Sequence, residues 1–142
     1  MLTSSYTQHS CRVDNHRINV PLDPSGVHFP GREIQVAARV VTAPGGQDRP
    51  FLLFLQGGPG GQGPRVGDFR DGWIGEALKH YRVVLMDQRG TGLSTPLSAE
   101  AVAAEDDPAL FLKMLLQNQI LFDAEALRQS IADGAKWATL GQ

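Results

Sequence analysis

The chain has 142 residues, 42% hydrophobic and 20% charged, which is enough to build one globular domain with a buried core. Thirteen basic against fifteen acidic residues leave a formal charge of −2, which supplies neither the basic surface nucleic acid requires nor a polybasic membrane anchor. Cys11 stands alone and cannot form an internal disulfide, MLTSSYTQHSC lacks the charges and apolar core of a signal peptide, and no apolar run is long enough to span a membrane. A cytoplasmic protein with no nucleic-acid or membrane partner is expected.

In chain order, CRVDNHRINV (residues 11–20) alternates polar and apolar and reads as a strand. PSGVHFPG is a turn cluster, and residues 33–42, with EIQVAARVV at their start, form a second strand rich in β-branched side chains. After the turn APGGQDRP, FLLFLQ (51–56) and YRVVLMD (strand 82–87) are short apolar runs bounded by turn signals. Such runs suit central strands of a parallel sheet covered on both faces. DGWIGEALKH between them predicts a short helix, completing a crossover unit.

Beyond STPLSAEAVAAEDD a long helix is expected from Pro108, capped by Asp106 or Asp107. Leu116, Ile120, Ala124, Leu127 and Ile131 recur every three or four residues as its apolar face, and Gly134 ends it. KWATL (136–140) predicts a last strand. Its uncovered edge would be a liability, so the pattern points to an α/β fold that is incomplete within these residues.

FLLFLQ runs into a loop of unusual glycine content, GGPGGQGPR. Gly58, Gly60 and Gly63 satisfy G-x-G-x-x-G after a strand, and Asp87 ends the next strand where a ribose-binding acid would lie. Against a dinucleotide site, PRVGDFRDG stands where a helix should aim its amides at pyrophosphate. No Walker lysine with Ser or Thr follows. A second reading is an oxyanion loop after the third strand of an α/β-hydrolase, formed by Gln56, Gly57, Gly58, Pro59 and Gly60. Glycine there lets amides approach a developing charge, and proline stiffens the loop. A third reading is a plain surface turn, and the loop alone leaves all three open.

DQRGTGLSTP, Asp87 to Pro96, follows the strand YRVVLMD. Together with LQGGPG it resembles the prolyl aminopeptidase (proline iminopeptidase) family of α/β-hydrolases, whose members carry HGGPG and, farther along, DQRG-x-G-x-S. The likeness continues into DAEALR, Asp123 to Arg128, and so covers residues 51–142. It implies the N-terminal part of an α/β-hydrolase fold: a mixed, mostly parallel sheet with antiparallel opening strands. It also implies a peptidase that releases N-terminal residues, preferentially proline, from peptides, with no cofactor and no metal.

By the same resemblance, WATLGQ is the strand that feeds the nucleophile elbow G-x-S-x-G, with Gly141 and Gln142 as its first two residues. The serine is then expected immediately after Gln142, and the aspartate and histidine beyond it. No catalytic residue is expected in these 142 residues, and the remainder of the hydrolase chain, with its cap, is the expected partner. Gly58 is the expected oxyanion donor, and Gln56 replaces the family's usual histidine. Asp87, Gln88, Arg89 and Gly90 form a structural motif, with Asp87 and Arg89 expected as a partly buried pair tying strand to loop. Ser94 and Thr95 read as turn residues, Trp73 and Trp137 as core aromatics, and His9, His16, His28 and His80 lack metal-ligand spacing. Alternatives are another α/β-hydrolase, an esterase or epoxide hydrolase, or a non-catalytic module binding a dinucleotide or a protein partner.

Overall fold

A computed structural model describes residues 1–58 and 60–141. The expected positions Pro59 and Gln142 lie outside the described residues. The elements run β1 (Leu2–Gln8), β2 (Cys11–Pro21), β3 (Glu33–Thr42), β4 (Phe51–Leu55), α1 (Gly72–Ala77), β5 (Arg82–Asp87), α2 (Ala99–Ala103), α3 (Pro108–Lys113), α4 (Gln117–Ala132) and β6 (Ala138–Gly141). The strands form one sheet in the order β1-β2-β3-β5-β4-β6. β1, β2 and β3 are an antiparallel meander, β3 is antiparallel to β5, and β4 lies parallel to both β5 and β6.

Period-two alternation sorts the apolar side chains of the central strands onto two faces. Val36, Ala38 and Val40 of β3, Phe51 and Leu53 of β4, and Val84 and Met86 of β5 pack against Ile120, Ala124 and Leu127 of α4. On the other face Val13, Val41, Phe54, Val83 and Leu85 meet Ile74 and Leu78 from the α1 region, with Phe69. Trp137 packs at the edge of the first layer. Trp73 is not a core residue: it stacks on Phe54 at 4.7 Å between ring centroids and keeps 38% of its surface exposed.

The strand β1 is additional to the sequence reading. LTSSYTQ is largely exposed and pairs only with β2, so it lacks the one-sided apolar alternation that marks a half-buried strand. Its connection to β2 is a tight turn in which His9 and Ser10 take φ of 48° and 65°, a conformation ordinarily signalled by Asn-Gly.

The long helix expected from Pro108 is two helices. Asp107 caps α3, its carboxylate accepting from the Leu110 N–H at 2.9 Å. The chain then breaks, and Leu116 takes extended geometry (φ −76°, ψ 167°) before α4 begins. Leu116 is 58% exposed and does not belong to the buried stripe, which consists of Ile120, Asp123, Ala124, Leu127 and Ala132. α2, within a stretch read as a loop, is a short turn of helix capped by Ser98.

β4 leads through α1 to β5 on one side, whereas β5 leads through α4 to β6 on the other side of β4. Right-handed crossovers in opposite directions place their helices on opposite faces of the sheet. The loops leaving β4 and β5 therefore part from one another, which opens a crevice at their carboxyl ends. No helix of the described residues is long and apolar enough to cross a membrane.

Candidate active site

Two loops leave that crevice: residues 56–71 after β4 and 88–98 after β5. In the first, Gly58 and Gly60 adopt φ of 119° and 134°, conformations that side-chain-bearing residues rarely tolerate. A Cβ on Gly58 would find no atom nearer than 4.0 Å, so its glycine requirement is conformational and not a matter of crowding. Gly63 is the reverse case: a Cβ there would lie 2.6 Å from the Met86 carbonyl oxygen. Its N–H donates to Asp87 Oδ1 at 2.9 Å. The third glycine of the dinucleotide pattern is thus locked onto the end of β5, and the next helix begins only at Gly72.

Asp87 is a hub. Its carboxylate is held by both terminal nitrogens of Arg65 (2.6 and 2.8 Å), by the Gly63 N–H, and by the Leu93 N–H at 2.9 Å. Burial pushes the carboxyl up, but Arg65 and the two backbone donors outweigh it and hold the group below the ordinary aspartate value. Gly92, at φ 54°, presses so closely on this carboxylate that a Cβ would collide with it. Ser94 is more than a turn residue: its buried hydroxyl donates to the Asp87 carbonyl at 2.6 Å and accepts from the Ala37 N–H at 2.9 Å. Thr95 exchanges hydrogen bonds with Gln35. The loop thereby returns to β3 and extends its ladder beyond the last β5 residue.

The expected Asp87–Arg89 pair does not form. Arg89 turns to the opposite face of the sheet, where its side chain is 0% exposed and grips Asp123 of α4 with Nη2–Oδ1 of 2.6 Å and Nε–Oδ2 of 2.7 Å. It also donates to the carbonyls of Leu22 (2.8 Å), Met114 (2.6 Å) and Pro21 (3.3 Å). The break between α3 and α4 explains the Met114 contact: a carbonyl at a helix end has no intrahelical partner and is free to accept. In a continuing strand residues two apart would share a face, but β5 ends at Asp87 and the turn at Arg89 redirects its side chain.

Between them Gln88 faces the crevice. It is 3% exposed, and its Nε2 donates to the Gln56 carbonyl at 2.8 Å, tying the two loops together. Its Oε1 has no partner among the described residues. Gln88 lines a cavity of about 260 Å³ with Gln56, Gly57, Gly58, Ile120 and Gly141. The glycine loop, the DQRG segment and the end of β6 therefore open onto one space. Gly90, at φ 81°, turns the chain away from it.

The remaining polar candidates lie elsewhere. His9 approaches Asp68 at 3.8 Å, and His16 sits half-buried in β2 with its basicity lowered by burial. No group of three or more His, Cys, Asp or Glu among the described residues could hold a metal. Cys11 is buried, which pushes its thiol up. In DAEALR, Asp123 holds Arg89, while Arg128 pairs with Glu125 at 2.6 Å and reaches the Ala135 carbonyl at 3.0 Å beyond the end of α4.

A parallel-strand switch point, a glycine loop after β4 and a strand aimed into the same crevice define the N-terminal part of an α/β-hydrolase fold. No family model matches the chain. It is 44% identical over 95 residues to a proline iminopeptidase of Aeromonas sobria, covering 66% of this chain and 22% of the relative. It is 34% identical over 142 positions to proline iminopeptidase aneH of Aspergillus aculeatus, covering 92% of this chain and 31% of the relative. The crystal structure of a proline iminopeptidase-related protein from Thermus thermophilus superimposes with a TM-score of 0.46 and 28% identity, over 90% of this chain and 36% of that one. The chain is a homologue of the proline iminopeptidases, a prolyl aminopeptidase-like α/β-hydrolase sequence that spans less than a third of the length of either curated relative.

Proposed function

We propose that the complete protein is a serine aminopeptidase that releases N-terminal residues, preferentially proline, from peptides, and that these residues supply its oxyanion loop. The observation that carries this reading is the shared cavity: Gly57 and Gly58 face it from β4, Gln88 from β5 and Gly141 from β6. A nucleophile elbow continuing from Gly141 would present its serine beside the glycine loop. The serine, activated by histidine, would attack the first carbonyl carbon, and the Gly58 N–H would stabilise the oxyanion together with the N–H following the serine. The donors are held in advance, so no reorganisation is required as the charge develops.

The nucleophile, acid and base lie beyond residue 142 in this reading, so the 142-residue chain alone is inactive. The buried Cys11 suits a reducing cytoplasmic compartment. The test is release of β-naphthylamine from proline-β-naphthylamide by the full-length protein and by residues 1–142, each highly purified. Turnover and labelling of one serine by a fluorophosphonate in the full-length protein only are the expected results. Turnover by residues 1–142, or full-length activity on acyl esters but not on prolyl amides, would overturn it, the latter in favour of an esterase.

A further inference from the structure

From the bond between Gln88 and Gln56 we infer that Gln88 is the positioning residue of the glycine loop, setting the direction of its amides before substrate arrives. The inference rests on reading Gln56–Gly60 as the oxyanion loop and names the group that holds it.

Gln88 Nε2 donates to the Gln56 carbonyl at 2.8 Å across 32 residues of sequence. A peptide unit is planar and trans, so fixing the Gln56 oxygen fixes the opposite direction of the Gly57 N–H and the entry to Gly58. The loop needs such an anchor, because Gly58 and Gly60 hold conformations that glycine visits without strain but does not by itself prefer over many others. The amide's orientation follows from the same contact: reversed, it would set two oxygens against each other. Burial argues that this bond is the reason for the side chain. Gln88 is 3% exposed, and its Oε1 has no partner among the described residues. An apolar side chain of similar length would fill the space without burying an unpaired acceptor. What such a residue could not do is hold the Gln56 carbonyl.

Gln88→Glu and Gln88→Met in the full-length protein test the assignment. At neutral pH the carboxylate of the first has no donor, and the second has none at any pH. Both are expected to lower kcat by up to about 10²-fold, the scale of a misplaced catalytic geometry, with KM unchanged. Both should lower the melting temperature as well, Gln88→Glu further because it buries a charge against the Gln56 carbonyl. As pH falls and the carboxyl protonates, it regains a donor, so the Gln88→Glu deficit relative to the parent shrinks while the Gln88→Met deficit does not. Unchanged kcat in both variants, a rise in KM alone, or parallel deficits at every pH would overturn the inference. Amide exchange over residues 52–63, read by mass spectrometry, needs no substrate. Faster exchange confined to that segment is expected in both variants, and unchanged exchange overturns the positioning role even if the parent proves not to be a prolyl aminopeptidase. Loss of the prolyl activity in the parent, with the exchange difference intact, would overturn the enzymatic reading alone.

Discussion

Arg89 and Asp123 face each other inside the protein with side chains 0% and 1% exposed, joined by two short hydrogen bonds of 2.6 and 2.7 Å. The pair fastens the turn after β5 to the middle of α4, and the same guanidinium collects three carbonyls from two other segments. Removing one member of a buried pair leaves the other charge uncompensated, at about 3–5 kcal/mol. Arg89→Met and Asp123→Asn should both lose unfolding free energy of that order, read as a fall in the urea midpoint at unchanged slope. An isolated buried pair can be replaced by apolar residues at little cost, but this one cannot. In Arg89→Met/Asp123→Leu the carbonyls of Pro21, Leu22 and Met114 lose their donor, so the double variant stays well below the parent. Recovery of parental stability by the double variant would show that those carbonyl contacts contribute nothing.

The pH dependence of stability should carry the signature of Asp87. Its folded carboxyl lies below the ordinary value because Arg65, Leu93 and Gly63 together outweigh burial. Below the unfolded value the unfolded chain therefore binds the proton more readily. The stabilisation is fully present above about pH 4 and is lost as pH falls through the folded value. Asp23, held at about 2 by the Ser25 hydroxyl and by the His28 and Ser25 N–H groups, has the same sign. Asp123 has the opposite one, because burial raises it against the pull of Arg89. Urea midpoints followed from neutral pH into acid should fall most steeply below about pH 4. Asp87→Asn should start lower and show a shallower acid slope. Equal slopes in variant and parent would remove Asp87 from the account.

The contrast between Asp87 and Arg89 also marks where sequence stopped being informative. FLLFLQ and YRVVLMD are legible as central strands because their apolar runs serve both faces of a sheet, and the glycine loop and DQRG segment are legible as strand-end motifs for the same reason. Which partner each charge takes is not written locally: Arg65 lies 22 residues from Asp87, and Asp123 lies 34 from Arg89. Two opposite charges two residues apart look like a pair until the turn sends them to opposite faces. The helix break was hidden in a similar way. Leu116 keeps helical spacing with Ile120 and Ala124, while the break before it is coupled to a hydrogen bond from Arg89, distant in sequence, to the Met114 carbonyl. β1 gave no signal because an exposed edge strand needs no apolar face. In the glycine loop composition marked the place, but only geometry separates a glycine that makes room from one that supplies a backbone angle.

That separation yields a paired prediction. At Gly63 an added Cβ meets the Met86 carbonyl oxygen at 2.6 Å, so the loop must move off the end of β5 and weaken the Gly63 N–H bond to Asp87. Gly63→Ala should therefore destabilise the protein by about 1–3 kcal/mol, the scale of overpacking, and shift its urea midpoint. At Gly58 the Cβ meets nothing nearer than 4.0 Å, and the penalty is the backbone angle of 119°. Such strain, roughly 1–3 kcal/mol, can be relieved by the loop taking another conformation without disturbing the sheet. Gly58→Ala should thus leave the urea midpoint of the full-length protein nearly unchanged and lower kcat by about 10²- to 10³-fold, the cost of losing one oxyanion donor. If Gly58→Ala destabilised as much as Gly63→Ala and retained parental kcat, the glycine at 58 would be serving the fold, and the donor would have to be sought elsewhere in the loop.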